Sequence, residues 1–344
     1  MFVFRAWYVA SSSDELTGKP LARILLDKPV VLFREADGTP VALEDRCPHR
    51  FLPLSKGTVT EAGLRCAYHG LVFDRSGSCV KAATQEDVPA RARVSSYPLV
   101  ERYGFAWIWL GEPELADPQT IPNFDVDVGL EHHSSEQWAA ASGYYRAEAS
   151  YLLVLDNLMD LSHITLVHPT TLAAGGFNGA TSRVESAPGS VSDYRVAYNI
   201  DAGLGYGPLF GGATTKIDYW LDMHWKAPST FLLDAYLTVA GEDKNRGIRN
   251  IASQLITPET DTSCHYYWVS SRNFQMDDEQ LTCDWAKMVG AAFDEDAEIL
   301  KEQQKSIGER DILDMQPAVL RADKSGLLAR RQIQKLLKSE QIAS

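Results

Sequence analysis

The chain has 344 residues, 45% of them hydrophobic and 23% charged, which predicts about two globular domains with ample material for buried cores. Its net charge of −13 excludes nucleic acid as a partner, because phosphate binding needs a basic face. No run approaches the ~18 apolar residues of a membrane-spanning helix, and no charged region precedes an apolar stretch at the start, so a cytoplasmic protein without membrane contact is expected.

Residues 1 to about 112 read as short strands separated by turn signals. Apolar runs at 21–26, 30–34 and 41–44 flank Asp37-Gly38, those at 71–73 and 79–81 flank Ser76-Gly77, and those at 97–100 and 105–110 flank Tyr103-Gly104. The pattern predicts a small all-β domain, sandwich or open barrel. Inside it lie Cys47-Pro48-His49-Arg50 and Cys66-Ala67-Tyr68-His69-Gly70, a C-x-H and a C-x-x-H separated by sixteen residues. Two Cys and two His are also a zinc set. Zinc motifs, however, usually supply like ligands from each half, whereas each half here supplies one Cys and one His. That pairing suits a [2Fe–2S] cluster in which one iron takes both thiolates and the other both imidazoles. Five cysteines in all, at 47, 66, 79, 264 and 283, are too few and scattered for a disulfide framework. Cys79, Cys264 and Cys283 are expected to be core or half-buried thiols.

Residues 113–135, rich in Pro and acid, read as a linker. The stretch 156–169 then sets Asp156, Asn157, Asp160, His163 and His168 among apolar residues. Positions 152, 155, 158, 159 and 166 suggest a core-facing helix. Strand-like runs follow near 183–199, 214–221, 230–240, 248–257 and 264–271, consistent with one antiparallel sheet. Helices are predicted over Asp278 to about Ile307 and Lys324 to about Gln341. The second domain, 136–344, is therefore expected to be α+β, with helices covering one face of the sheet.

Both polar stretches resemble known motifs. Cys-Pro-His-Arg and Cys-x-Tyr-His-Gly-Leu resemble the Rieske iron–sulfur motif. Asp156-Asn157-Leu158-Met159-Asp160-Leu161-x-His163-x4-His168 resembles the mononuclear iron motif of Rieske non-haem iron oxygenases. The likeness runs from Trp7-Tyr8-Val9-Ala10 through Leu255–Glu259 to Ser271–Phe274, most of all toward the oxygenase components of vanillate O-demethylase, toluenesulfonate methyl-monooxygenase and dicamba monooxygenase. It implies a cluster on Cys47, His49, Cys66 and His69. It also implies an Fe(II) held by two imidazoles and a carboxylate, with positions left open for dioxygen and substrate.

His163 and His168 are the two imidazoles. Five residues turn a regular helix by about 500°, leaving the pair about 140° apart, so the helix must end or distort before His168, as Pro169 favours. The carboxylate is expected from Asp294, Glu295 or Asp296; the resemblance selects Asp296 and leaves the other two as a solvated helix face. Asp160, one helical turn before His163, is placed to accept a hydrogen bond from that imidazole. The resemblance further makes Asp160 an electron bridge to His69 of a neighbouring subunit, in a homotrimer. It puts Asn157 near the iron. It also places Leu233 (or Asp234) and Gln254 where dicamba monooxygenase has amide and imidazole groups that hold a carboxylate, which implies a differently held substrate.

The implied activity is that of a terminal oxygenase: hydroxylation of a methyl or methoxy group on a small aromatic acid, one oxygen atom of O2 entering the substrate. A hydroxylated methoxy group collapses to a phenol and formaldehyde. No G-x-G-x-x-G opens a βαβ unit, so NAD(P)H acts only through a separate reductase or ferredoxin, with docking expected near Arg50. The alternatives are a ring-hydroxylating dioxygenase or an N-demethylase of the same architecture, or a non-enzymatic Rieske carrier, which would not need the His163/His168/Asp296 set. The remaining histidines, His132 and His133 in the linker and His224 and His265 in strands, carry no metal spacing.

Overall fold

The structure, a computed structural model, describes residues 1–344 except 84, 125, 128, 135, 170, 172–176 and 344. It divides into two compact units, Met1–Ile121 with Thr257–Thr260, and Pro122–Ile256 with Asp261–Ser344.

The first unit is built of three small antiparallel sheets. One orders Trp7–Ser12, Phe105–Trp109 and Leu99–Arg102; a second orders Leu21–Leu25, Lys28–Arg34, Pro40–Glu44 and Ser96–Tyr97. The third runs Thr58–Thr60, Gly63–Arg65, Val72–Phe73, Cys79–Lys81. The Asp37-Gly38 signal closes a hairpin in which Arg34 pairs with Pro40. Gly77 has φ +78 and its missing Cβ would sit 2.1 Å from the Val94 carbonyl oxygen, so only glycine fits that turn. Val31, Phe33, Val41, Leu43, Leu54, Leu64, Phe73 and Val94 form one core, and Cys47 and Cys66 belong to it.

The second unit is a seven-stranded antiparallel sheet with helices. Its strands are β1 (Ala139–Ala147), β2 (Thr181–Ala187), β3 (Ser190–Asp201), β4 (Lys216–Lys226), β5 (Thr230–Val239), β6 (Ile248–Thr260) and β7 (Ser263–Arg272). They lie in the order β1-β7-β6-β5-β4-β3-β2. The sequence pattern did not reveal β1, whose register with β7 (Tyr145 opposite Tyr266) completes the sheet at one edge. The helices are α1 (Tyr151–Met159), α2 (Ile164–Val167), α3 (Gly203–Phe210), α4 (Glu279–Ile307) and α5 (Lys324–Ala343). Asp278 caps α4 by accepting the Leu281 N–H at 2.8 Å, which explains the acid at its start. Phe293 of α4 packs on Tyr145, Tyr266 and Trp268, and Trp285 donates to the Ser270 hydroxyl, so α4 covers the face carrying those residues.

Three expectations are corrected. Leu166, placed in the core by its spacing, is 79% exposed, because the helix that would have carried it inward stops at Met159. Cys283 is exposed rather than half-buried. His132, assigned to a polar linker, is fully buried against the opposite face of the sheet, its two ring nitrogens meeting the hydroxyls of Ser271 (2.7 Å) and Ser253 (2.9 Å).

Two candidate metal centres

In the first unit, two loops of the same design present the Cys and His pairs. The Cys47 N–H donates to the Leu52 carbonyl and the Phe51 N–H returns to Cys47, both at 2.9 Å; Cys66 pairs with Leu71 (2.8 Å) and Gly70 (3.1 Å) in the same way. Each loop turns at its positive-φ residue, Phe51 (φ 60) or Gly70 (φ 69). Cys47 and Cys66 are each 2% exposed, and the His49 and His69 rings lie 4.4 Å apart. Burial pushes the Cys47 thiol up to about 11, against the pull of the His49 and Arg50 backbone N–H groups, with Cys66 adding to the rise. The thiolate is the form that ligates a metal, and a bound cation would stabilise it there. The donor set therefore fits a cluster.

In the second unit, α1 ends at Met159 and Asp160 leaves helical geometry (φ −103, ψ 86). A 3-10 turn Leu161–His163 and the single turn of α2 follow, and His168 is itself non-helical (φ −113, ψ 47). The expected distortion before His168 is thus joined by an earlier break. The two breaks bring the His163 and His168 rings to 5.3 Å. Asp296 of α4, 5% exposed, faces both: Oδ1 lies 3.5 Å from His163 Nε2 and Oδ2 3.3 Å from His168 Nε2. Among the described residues these three form a group of potential metal ligands, their atoms within 4.8 Å of one another. Asn157 Nδ2 donates to Asp296 Oδ1 at 3.0 Å.

The other ring nitrogens decide the chemistry. His163 Nδ1 contacts the Asp160 carbonyl oxygen and His168 Nδ1 lies 2.7 Å from Glu295 Oε2. A carbonyl and a carboxylate only accept, so both Nδ1 atoms carry protons and, in neutral rings, both Nε2 atoms are bare. Two lone pairs and a carboxylate then point at one small volume, an arrangement that repels itself unless a cation sits among them. Burial pulls the His168 pKa down, but Asp296 and Glu295 outweigh it and hold it above the ordinary value.

Two readings change here. The Asp160 carboxylate does not accept from His163; its backbone carbonyl does, while Oδ1 takes the Ser162 N–H at 2.9 Å. Glu295 is not merely solvated, since it orients His168 and also accepts from Thr171 Oγ1 at 3.0 Å. Sequence spacing could not reveal Glu295, because its partner lies 127 residues away. Asp294 is exposed. Leu233 and Gln254 share a sheet face, since Gln254 pairs with Phe231, two residues from Leu233. The alternative, Asp234, lies on the opposite face and is taken up by Arg249 at 2.8 Å.

A family model for the Rieske [2Fe-2S] domain matches residues 6–98, and one for the vanillate O-demethylase oxygenase C-terminal domain matches 147–339. The chain belongs to the Rieske non-haem iron oxygenases. Among relatives within this family, a putative toluene-4-sulfonate monooxygenase system iron-sulfur subunit of Comamonas testosteroni is 38% identical, covering 99% of this chain and 98% of that one. The dicamba O-demethylase oxygenase component of Stenotrophomonas maltophilia is 35% identical (97% and 98%). A vanillate O-demethylase oxygenase subunit of a Pseudomonas species is 34% identical (100% and 97%). The crystal structure of dicamba monooxygenase bound to 3,6-dichlorosalicylic acid superposes with a TM-score of 0.91 at 35% identity, covering 98% of each chain. As a member of this family the protein is an oxidoreductase whose cofactors are a [2Fe–2S] cluster and a non-haem iron. Among the described residues no helix is long and apolar enough to cross a membrane.

Proposed function

We propose that the protein is the terminal oxygenase of a cytoplasmic multicomponent system, hydroxylating a methyl or methoxy carbon of a small aromatic acid. His163, His168 and Asp296 hold the mononuclear iron; Cys47 and Cys66 hold one iron of the cluster, His49 and His69 the other. When bound, the cluster supplies single electrons and the mononuclear iron a site for dioxygen. The chain's own contribution is to fix both Nδ1 protons, present two bare Nε2 atoms, and tether Asp296 through Asn157. That convergence of proton-fixed imidazoles on a buried carboxylate is the observation that carries the reading.

Electrons come from a separate NAD(P)H-dependent reductase, directly or through a ferredoxin, docking near Arg50. A cleft of about 300 Å3 lined by Pro48, His49, His69, Leu71 and Arg91 suits such a partner. From His69 they pass to Asp160 of the next subunit in a homotrimer. In support, Asp160, Asp156 and Asn157 border a cleft of about 270 Å3 with Leu313 and Val319, while Phe51 (68% exposed) and Tyr68 (63%) flank the cluster histidines. Leu233 and Gln254 line the substrate pocket. Gln254 is 2% exposed, and among the described residues nothing hydrogen-bonds its Oε1, which leaves it for a substrate donor.

The test is a screen of methoxy- and methyl-substituted aromatic acids with a surrogate reductase. Formaldehyde release with matching oxygen uptake is expected for a methoxy acid; ring diols as the product would move the enzyme to the dioxygenases. In parallel, Asp296→Ala should lose the mononuclear iron while keeping the cluster's EPR signal, and unchanged iron content would refute the ligand assignment.

A further inference from the structure

Asp160 sits at the break after α1, and nearly all its polar atoms are committed. Its N–H donates to the Asp156 and Asn157 carbonyls (3.1 and 3.2 Å), its carbonyl receives His163 Nδ1, and Oδ1 accepts from Ser162. Among the described residues no hydrogen bond reaches Oδ2, and the side chain is 27% exposed. Behind Oδ1, at 3.8 Å, stands Nη2 of Arg195 on β3, a side chain 8% exposed.

Arg195 is itself fixed. Asp193, 1% exposed, accepts from its Nε (3.0 Å) and Nη2 (2.9 Å) on one oxygen and from Ser182 Oγ (2.6 Å) on the other. Ser325, fully buried in α5, donates to the last carbonyl of α1, Met159, at 2.8 Å, and its oxygen lies 3.4 Å from Asp193 Oδ2, the oxygen that Arg195 engages. Strand β3 and helix α5 therefore clamp the end of α1 where Asp160 departs. An arginine needed only by Asp193 would have no reason to face a second anion, yet Asp160 is the one other carboxylate within 4 Å of it among the described residues.

We propose that Arg195 is a positioning residue for electron transfer through Asp160: it draws Oδ1 toward the interior and so leaves Oδ2 free for the imidazole of a neighbouring subunit. The inference rests on the bridging role proposed for Asp160. Arg195 touches neither metal site nor substrate, and acts only through that carboxylate.

Arg195→Gln alone strands Asp193 as a buried unpaired charge. The test therefore uses Asp193→Asn/Arg195→Gln, which removes both charges together, beside Arg195→Lys, which keeps the charge and loses the fork. Pre-reduced, iron-loaded enzyme is mixed with oxygen and a methoxy-aromatic acid, and re-oxidation of the cluster is followed by its visible absorbance. With both metals retained and the melting temperature unchanged, transfer should slow by about 10–100-fold in the double variant and less in Arg195→Lys. Added to Asp160→Asn, the double substitution should slow nothing further. In protein stripped of mononuclear iron, the pulsed-EPR nitrogen couplings of the reduced cluster's imidazoles should shift alike in Asp160→Asn and in the double variant. Wild-type transfer and couplings in the double variant, with Asp160→Asn impaired, overturn the role of Arg195 and leave the bridge standing. Wild-type transfer in Asp160→Asn overturns the bridge itself.

Discussion

At the scale of single residues, the second centre depends less on which side chains are present than on where two protons sit. A histidine whose Nδ1 is free can turn either nitrogen toward a metal. Here the Asp160 carbonyl and the Glu295 carboxylate remove that choice for His163 and His168. Glu295, 2.7 Å from His168 and shared with Thr171, is the replaceable half of this arrangement. Glu295→Gln keeps the shape but permits the amide to donate, which favours the opposite tautomer. Iron affinity, measured by chelator competition, should fall about 10–100-fold while the cluster is retained; unaltered affinity would show that Asp160 and Asp296 suffice.

At the scale of elements, the determining feature is that α1 stops early. Five residues of continuous helix would send His163 and His168 to different sides; a break, a 3-10 turn and one turn of α2 bring them together. Holding a helix end in place takes anchors on its other faces, and Arg330 of α5 is the main one. It is 3% exposed and donates to both Asp156 oxygens (2.8 and 2.6 Å), to Asp311 (2.9 Å) and to the Leu152 carbonyl (3.2 Å). Burial pushes the Asp156 carboxyl above its ordinary value despite that pull, so losing the cation leaves a costly group behind. Arg330→Met should therefore destabilise the protein by about 1–3 kcal/mol in urea unfolding, and pairing it with Asp156→Leu should recover part of the loss. Equal losses in the single and double variants would mean that the ion pair is not what anchors α1.

At the scale of the whole molecule, the sheet's two faces have different tasks. One carries α4 and, on β5 and β6, the Leu233 and Gln254 positions. The other is sealed partly by His132, which burial, with the charges of His133 and Arg249, pulls down to about 3 from an ordinary 6.5. Between those values the unfolded chain binds a proton that the folded state refuses. The stability contributed by the neutral ring is complete above pH 6.5 and is lost as pH falls toward 3, at about 1.4 kcal/mol per unit. His132→Gln should flatten that slope in unfolding measurements at pH 7, 6 and 5, and a slope like the wild type's would place the acid sensitivity elsewhere.

Residue type and spacing alone determined the family motifs, the strand-rich first unit, the α+β second unit and the long α4, because turns, caps and metal ligands are local and leave local patterns. The pairing of a Cys with a His at 47/49 and 66/69, and of two His at 163/168, was legible as a local pattern for that reason. Tertiary structure decided what depends on distant partners. It decided that α1 breaks at Asp160, that Asp160 offers its carbonyl rather than its carboxylate to His163, and that Glu295 reaches across 127 residues to His168. It decided too that His132 is a buried tie and not a linker residue. A hydrogen bond between remote segments has no signature in either segment's own sequence; it exists only once packing has placed donor beside acceptor.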